Sequence, residues 1–166
     1  MMQLRIAGTV ENSIVDGEGI RYTIFVQGCP HGCPGCHNPQ THDFQGGKLV
    51  DAAVLLKEIA SDPLLDGVTF SGGEPFCQAA ALAALGKQVH DLGLNLVTYT
   101  GYTLEQLLTD GREDWMALLN ETDILIDGRF EADKNECRFR GSTNQRYLDA
   151  KASVAAGKAV AAPFES

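Results

Sequence analysis

Arg21-Tyr-Thr-Ile-Phe-Val-Gln27-Gly28 runs directly into Cys29-Pro-His-Gly-Cys33-Pro-Gly-Cys36-His-Asn38. The first half is an apolar, β-branched run of the length of a buried strand. In the second half Pro30, Gly32, Pro34 and Gly35 exclude regular structure. Three thiols thus lie in one loop at a strand end, spaced Cys29-x3-Cys33-x2-Cys36. Soft thiolates turned toward one point suit an iron–sulfur cluster or zinc. Three is one ligand short of the usual four, and a catalytic metal centre keeps one position open. The alternative is a structural zinc with His37 as fourth ligand. Structural zinc ligands usually come as two separated pairs, whereas this chain has one compact triplet.

Outward from that stretch, strand and helix patterns alternate. Leu4–Val10 predicts a first strand, with a turn-rich connection from Glu11 to Gly19. Asp51 is placed to cap a helix carrying Ala52, Leu55, Leu56 and Ile59 on one face, ended by Asp62-Pro63. Strands are expected at 67–71, 94–100 and 123–127, with helices at 78–92, from a Thr103/Gln106 capping box to Leu108, and at 114–119. Gln145–Leu148 predicts a last strand. This alternation implies βαβ units, a mostly parallel sheet and right-handed crossovers. Polar, glycine-rich turns follow the strands: the cysteine loop, Gly72-Gly73-Glu74, Thr100-Gly101-Tyr102 and Asp127-Gly128-Arg129. They meet at the C-terminal edge of the sheet, where α/β proteins bind ligands. A closed eight-stranded barrel needs about 200 residues or more; 166 residues predict an α/β fold that is a partial, open (β/α) barrel. Residues 1–150 are read as one domain and 151–166 as an alanine-rich tail, a frayed helix or disordered.

Cys29-x3-Cys33-x2-Cys36 resembles the signature of the radical S-adenosylmethionine (radical SAM) enzymes. In that family three cysteines hold a 4Fe-4S cluster and SAM chelates the fourth iron. The Cys-Pro-Gly-Cys-ring-Asn run, in which His37 supplies the ring, resembles the branch that activates glycyl-radical enzymes. Thr98-Tyr-Thr-Gly-Tyr102, Asp127-Gly-Arg-Phe130 and Arg140-Gly-Ser-Thr-Asn-Gln-Arg146 are similar to segments of the activators of anaerobic ribonucleotide reductase. That resemblance implies a radical SAM barrel with metal ligands Cys29, Cys33 and Cys36. It also implies SAM contacts from Gly35, Cys36, His37, Gly72, Gly73, Glu74, Thr100, Asp127 and Arg129. Arg129 is the candidate for the methionine carboxylate, which a guanidinium matches with two hydrogen bonds. Asp127 would fix that arginine or a ribose hydroxyl; Glu74 would orient the ammonium or cap the next helix. The implied partners are the large subunit of anaerobic ribonucleotide reductase, as protein substrate, and an electron donor such as flavodoxin. Other readings are an activator of pyruvate formate-lyase, a small-molecule radical SAM enzyme, or a zinc-stabilised or iron–sulfur binding module. Similar proteins carry Gly-Pro-Gly where Gly17-Glu18-Gly19 stands, followed by an arginine matched by Arg21.

The whole-chain properties agree. A net charge of -9 argues against a nucleic-acid partner. No apolar run approaches a membrane helix, and the start lacks a signal-peptide core, so a cytoplasmic location is expected. Five cysteines, three of them clustered, do not form a secreted disulfide framework. Cys77 and Cys137 are expected as buried, inert thiols. His31, His42 and His90 have no evident partner in the sequence and are expected in surface or structural roles.

Overall fold

The computed structural model describes residues 3–31, 39–129 and 144–163. Its elements are β1 (Gln3–Ser13), β2 (Arg21–Val26), β3 (Lys48–Asp51), α1 (Ala52–Ala60), β4 (Gly67–Gly72), α2 (Ala79–Asp91), β5 (Asn95–Tyr99), α3 (Leu104–Asp110), α4 (Glu113–Glu121), β6 (Ile124–Asp127), β7 (Arg146–Asp149) and α5 (Ala150–Ala156). They build a seven-stranded open sheet in the order β3-β1-β2-β4-β5-β6-β7. The central strands β2, β4, β5 and β6 are parallel, in register Arg21↔Gly67↔Asn95 at their starts. β1, β3 and β7 close the edges antiparallel. Along the parallel strands, sheet order equals sequence order. Right-handed crossovers that always step the same way put every helix on one face, as in a barrel. The partial, open barrel expected from the sequence is the architecture found.

One face of the sheet carries the main core. Tyr22, Ile24 and Val26 of β2, Val68 and Phe70 of β4, and Leu96 of β5 pack against Leu55, Ile59, Leu82, Leu85, Val89, Leu107 and Leu118 of the helices. The period-2 alternation sends Arg21, Thr23 and Thr69 to the other face. There Arg21, 1% exposed, donates to Thr69 Oγ1 at 2.7 Å, the Glu18 carbonyl at 2.8 Å and the Val68 carbonyl at 2.8 Å. Burial lowers its pKa to about 10. Asp16 accepts from Ser13 and Thr23, and its carbonyl accepts from Thr69. The Gly17–Gly19 turn is therefore pinned across the sheet near the N-terminal ends of the parallel strands. Gly17 (φ 130°) and Gly19 (φ 81°) occupy conformations that L side chains rarely adopt.

The structure adds to the sequence reading at three places. The first strand runs on through Ser13, with register shifts against β2, instead of ending at Val10. β3 was not legible: its four residues are exposed or half-buried and pair with Leu4 and its neighbours far upstream. The tail follows the helical of its two readings. α5 is capped by Asp149 and ended by Gly157 in the left-handed conformation, and the chain then returns to β7 through a Leu148↔Ala161 bridge. Among the described residues no helix is long and apolar enough to cross a membrane.

Candidate functional site

The four turns after β2, β4, β5 and β6 lie at one edge of the sheet, and their backbones are tied together. Gly28 N donates to the Thr41 carbonyl at 2.7 Å and Cys29 N to the His42 carbonyl at 3.2 Å, holding the cysteine loop at its two ends. Gly73 N donates to the Val26 carbonyl and Glu74 N to the Gly28 carbonyl, both at 2.8 Å. A Cβ on Gly73 would stand 2.3 Å from the Gly28 oxygen, and one on Gly72 2.6 Å from the Val26 nitrogen. These two glycines allow β4's turn to touch the start of the cysteine loop. Cys29 itself is half-buried and its thiol is not in a disulfide. Cys33, Gly35, Cys36 and His37 lie outside the described residues, as does Cys137.

Glu74 is the hub. It is fully buried, and among the described residues four donors reach its carboxylate. Oε1 accepts from His31 Nε2 at 2.6 Å and from Gly101 N at 2.7 Å. Thr100 Oγ1 reaches both oxygens, at 3.0 and 2.9 Å, and Phe76 N donates to Oε2 at 3.0 Å. Glu74 caps the short 3-10 turn Pro75–Gln78, whereas α2, the helix that follows, starts after Gln78 without a side-chain cap. Glu74 also joins the cysteine loop, through His31, to the turns after β4 and β5. Sequence reading missed His31, whose side chain is 3% exposed. A signal was present in Thr-Gly-Tyr: a Cβ on Gly101 would stand 2.4 Å from the His31 ring. Tyr102, half-buried, packs edge-on to His31 at 4.6 Å and against Trp115 at 4.9 Å. Tyr99 and Tyr147 are on the opposite sheet face, where burial raises the Tyr99 phenol.

The turn after β6 is held differently from the expectation. Asp127, 1% exposed, does not fix Arg129. It accepts from Arg146 Nε at 2.9 Å and Nη2, and from Leu104 N at 2.7 Å. Gln145 Nε2 donates to the Gly128 carbonyl at 2.8 Å and Asn144 Nδ2 to the Arg129 carbonyl at 2.9 Å. Three consecutive residues thus grip three consecutive residues, which gives the Asn-Gln-Arg part of the 140–146 stretch a physical role that its sequence concealed. Arg146 also pairs with Glu105 at 2.7 Å; hydrogen bonds to Asp127 and Glu105 hold its guanidinium well above the ordinary range. The guanidinium of exposed Arg129 has no carboxylate partner among the described residues. Gly128 N donates to the Tyr102 carbonyl at 2.9 Å, joining this turn to its neighbour.

Around this edge the chemistry fits a thiolate-bound cluster. Cys29 presents a thiol at the strand end beside backbone that only glycine permits. His42 Nε2, in the residue whose carbonyl holds Cys29, is buried without a hydrogen-bond partner among the described residues. The described residues alone contain no group of three metal ligands, as expected when two of the three thiols lie outside them. Cys77 is exposed, which corrects the expectation of a buried residue. Partial burial of its thiol, with Glu74 and Cys29 nearby, still pushes it up to about 11. His90, expected without partners, lies between Glu121 at 3.2 Å and Asp123 at 2.9 Å, at the opposite end of the sheet.

Comparison with known proteins is consistent with this edge as the working surface. A family model described as a 4Fe-4S single cluster domain matches residues 15–148. An anaerobic ribonucleoside-triphosphate reductase-activating protein from Pasteurella multocida is 38% identical over 142 residues, covering 80% of this chain and 89% of that one. Its Escherichia coli K12 counterpart is 30% identical over 143 residues, covering 80% and 90%. A pyruvate formate-lyase-activating enzyme from Clostridium pasteurianum is 36% identical over 132 residues, covering 76% of this chain but 52% of that one. Among solved structures, QueE from Escherichia coli superposes with a TM-score of 0.51 at 20% identity, over 61% of this chain and 53% of that one. That likeness concerns the fold alone.

Proposed function

The chain belongs to the 4Fe-4S single cluster domain family and, within it, to the activating proteins of glycyl-radical enzymes, and from that premise we propose that it uses SAM to place a glycyl radical on anaerobic ribonucleoside-triphosphate reductase. The observation that carries this reading is Glu74's junction, which draws the cysteine loop and the turns after β4 and β5 to one point. Cys29, Cys33 and Cys36 would hold a 4Fe-4S cluster. When bound and reduced, that cluster would supply the single electron for reductive cleavage of SAM, the chemistry by which a hydrogen would be removed from a glycine Cα of the partner. The protein's own part is binding and exclusion of water. Gly35, Cys36 and His37, the backbone of Gly72-Gly73-Glu74, Thr100 and the turn of Asp127 to Arg129 would line the SAM site. Arg129 would take the methionine carboxylate in a bidentate pair. The Glu74 and Asp127 carboxylates, already filled by protein donors, would hold the site in shape. An electron donor such as flavodoxin would load the cluster.

The test is anaerobic reconstitution with iron and sulfide, reduction, and addition of SAM. The expected outcome is 5′-deoxyadenosine and, with the reductase present, a glycyl-radical EPR signal; Cys33→Ala should abolish both. A protein that binds stoichiometric zinc and forms no 5′-deoxyadenosine would reject the proposal. The Clostridium relative favours pyruvate formate-lyase as a second candidate partner. A glycyl-radical signal in that lyase, with none in the reductase, would decide for it.

A further inference from the structure

We propose that His31 is a positioning residue that latches the cluster-bearing loop to the SAM-facing turns and so sets the direction in which the cluster is presented. The proposal rests on the reading that Cys29, Cys33 and Cys36 hold a cluster. Its basis is geometric. His31 stands midway between Cys29 and Cys33. Its Nε2 lies 2.6 Å from Glu74 Oε1, with the two side chains 3% and 0% exposed. A donor to a buried carboxylate makes one of the stronger hydrogen bonds available to a protein. The acceptor is immobile, because Thr100, Gly101 and Phe76 hold the same carboxylate. The ring is fixed from a second side by Tyr102, edge-on at 4.6 Å with planes 75° apart, and Tyr102 rests on Trp115. The backbone at 101 has no room for any side chain beside that ring. The backbone bonds of Gly28 and Cys29 to Thr41 and His42 tie down the loop's base; His31 pins it further along. Because Glu74 N also bonds the Gly28 carbonyl, a shift of the loop would be felt directly at the Gly72–Glu74 turn. The residue type matters: the position needs a donor that reaches Glu74 from beside Tyr102.

The test compares anaerobically reconstituted wild type, His31→Gln and His31→Phe. Glutamine keeps a donor at similar reach, and phenylalanine keeps the ring without the donor. His31→Phe should take up the wild-type amount of iron and melt close to wild type when metal-free. It should release iron to a chelator about tenfold faster, the scale of one lost charge-assisted hydrogen bond. The reduced cluster should show altered g-values before any SAM is added, and a weakened response to SAM. His31→Gln should return the release rate and the spectrum toward wild type. Should His31→Phe melt early, Glu74→Gln, which keeps the shape and removes the charged acceptor, should give the same spectral change. Wild-type release and spectrum in His31→Phe, or a glutamine variant as defective as phenylalanine, would overturn the latch. A wild-type holoprotein that forms no 5′-deoxyadenosine would reject the proposed function instead, and the iron-release comparison would still judge the latch.

Discussion

Gly73 and Gly8 stand in opposite surroundings, and the contrast makes a prediction. At Gly73 the obstacle is backbone: an added Cβ meets the Gly28 oxygen at 2.3 Å and the Thr41 oxygen at 3.0 Å. Neither can move without disturbing the cysteine loop. Gly73→Ala should cost about 1–3 kcal/mol of stability, the range for overpacking, and should lower the iron retained after reconstitution. Gly8, with nothing within 4 Å of its added Cβ, is the control; Gly8→Ala should fall within about 0.5 kcal/mol of wild type by urea unfolding. Equal effects at the two sites would remove the argument from close approach. The same scale shows where sequence reading stopped. A Gly-Gly-acid turn and an Asp-Gly-Arg turn are visible as candidate ligand contacts, but the donors that fill Glu74 and Asp127 lie 26 or more positions away in the first case and up to 23 away in the second, apart from Phe76. No local pattern shows that a carboxylate is already satisfied.

Elements were most legible where their ends carry chemistry. The Thr103/Gln106 box is present in full: Thr103 Oγ1 accepts from Gln106 N at 3.2 Å and Gln106 Oε1 from Thr103 N at 2.8 Å. α3 then closes on left-handed Gly111. β3 escaped because four residues carry too little periodicity, and its pairing is set from the far end of the chain. α3 also anchors the clamp on the turn after β6, since Arg146 reaches Glu105 as well as Asp127. Arg146→Met should cost about 2 kcal/mol, because it removes the charged partner of a buried carboxylate while Leu104 N still satisfies part of it. The clamp also has a pH signature. Hydrogen bonding to Arg146 holds the Glu105 carboxyl below its ordinary value of 4.5. A carboxylate depressed in the folded state contributes stability that is complete above the unfolded value and lost as pH falls through the folded one. Wild type should therefore lose stability as pH drops below about 4.5, and the loss should be shallower in Arg146→Met. Because Glu105 is 55% exposed, the difference should be small and should shrink further in salt. Parallel unfolding midpoints in the two proteins from pH 6 to 3 would contradict the pairing.

For the molecule as a whole, the open sheet poses a problem that the helices do not solve. All helices stack on one face, so the other must be covered or wetted. The chain covers its N-terminal end with the Asp16–Gly19 turn over Arg21. Beside β7 it uses the tail, whose Ala162 joins Val97, Ile126 and Tyr147 in a second, smaller cluster. The tail is held by Asp149 N to the Val160 carbonyl at 2.9 Å and Ala162 N to the Tyr147 carbonyl at 3.1 Å. Alanine-rich composition hid this, since small residues give no amphipathic stripe to read. The four central strands showed plainly because each is a short run rich in β-branched residues, bounded by glycine and polar turns. Ending the chain after Lys158 should remove both hydrogen bonds and expose the Tyr147 ring, at a cost of about 2 kcal/mol. For a domain of this size that is a fall in Tm of about 4–8 °C, measurable by circular dichroism on the metal-free protein. The cysteine loop and its ties to β4 and β5 lie across the sheet from β7, so the truncated protein should still take up iron. A truncated protein that melts like wild type would mean that the tail covers nothing of consequence. One that folds but cannot take up iron would mean that the two edges of the sheet are mechanically coupled.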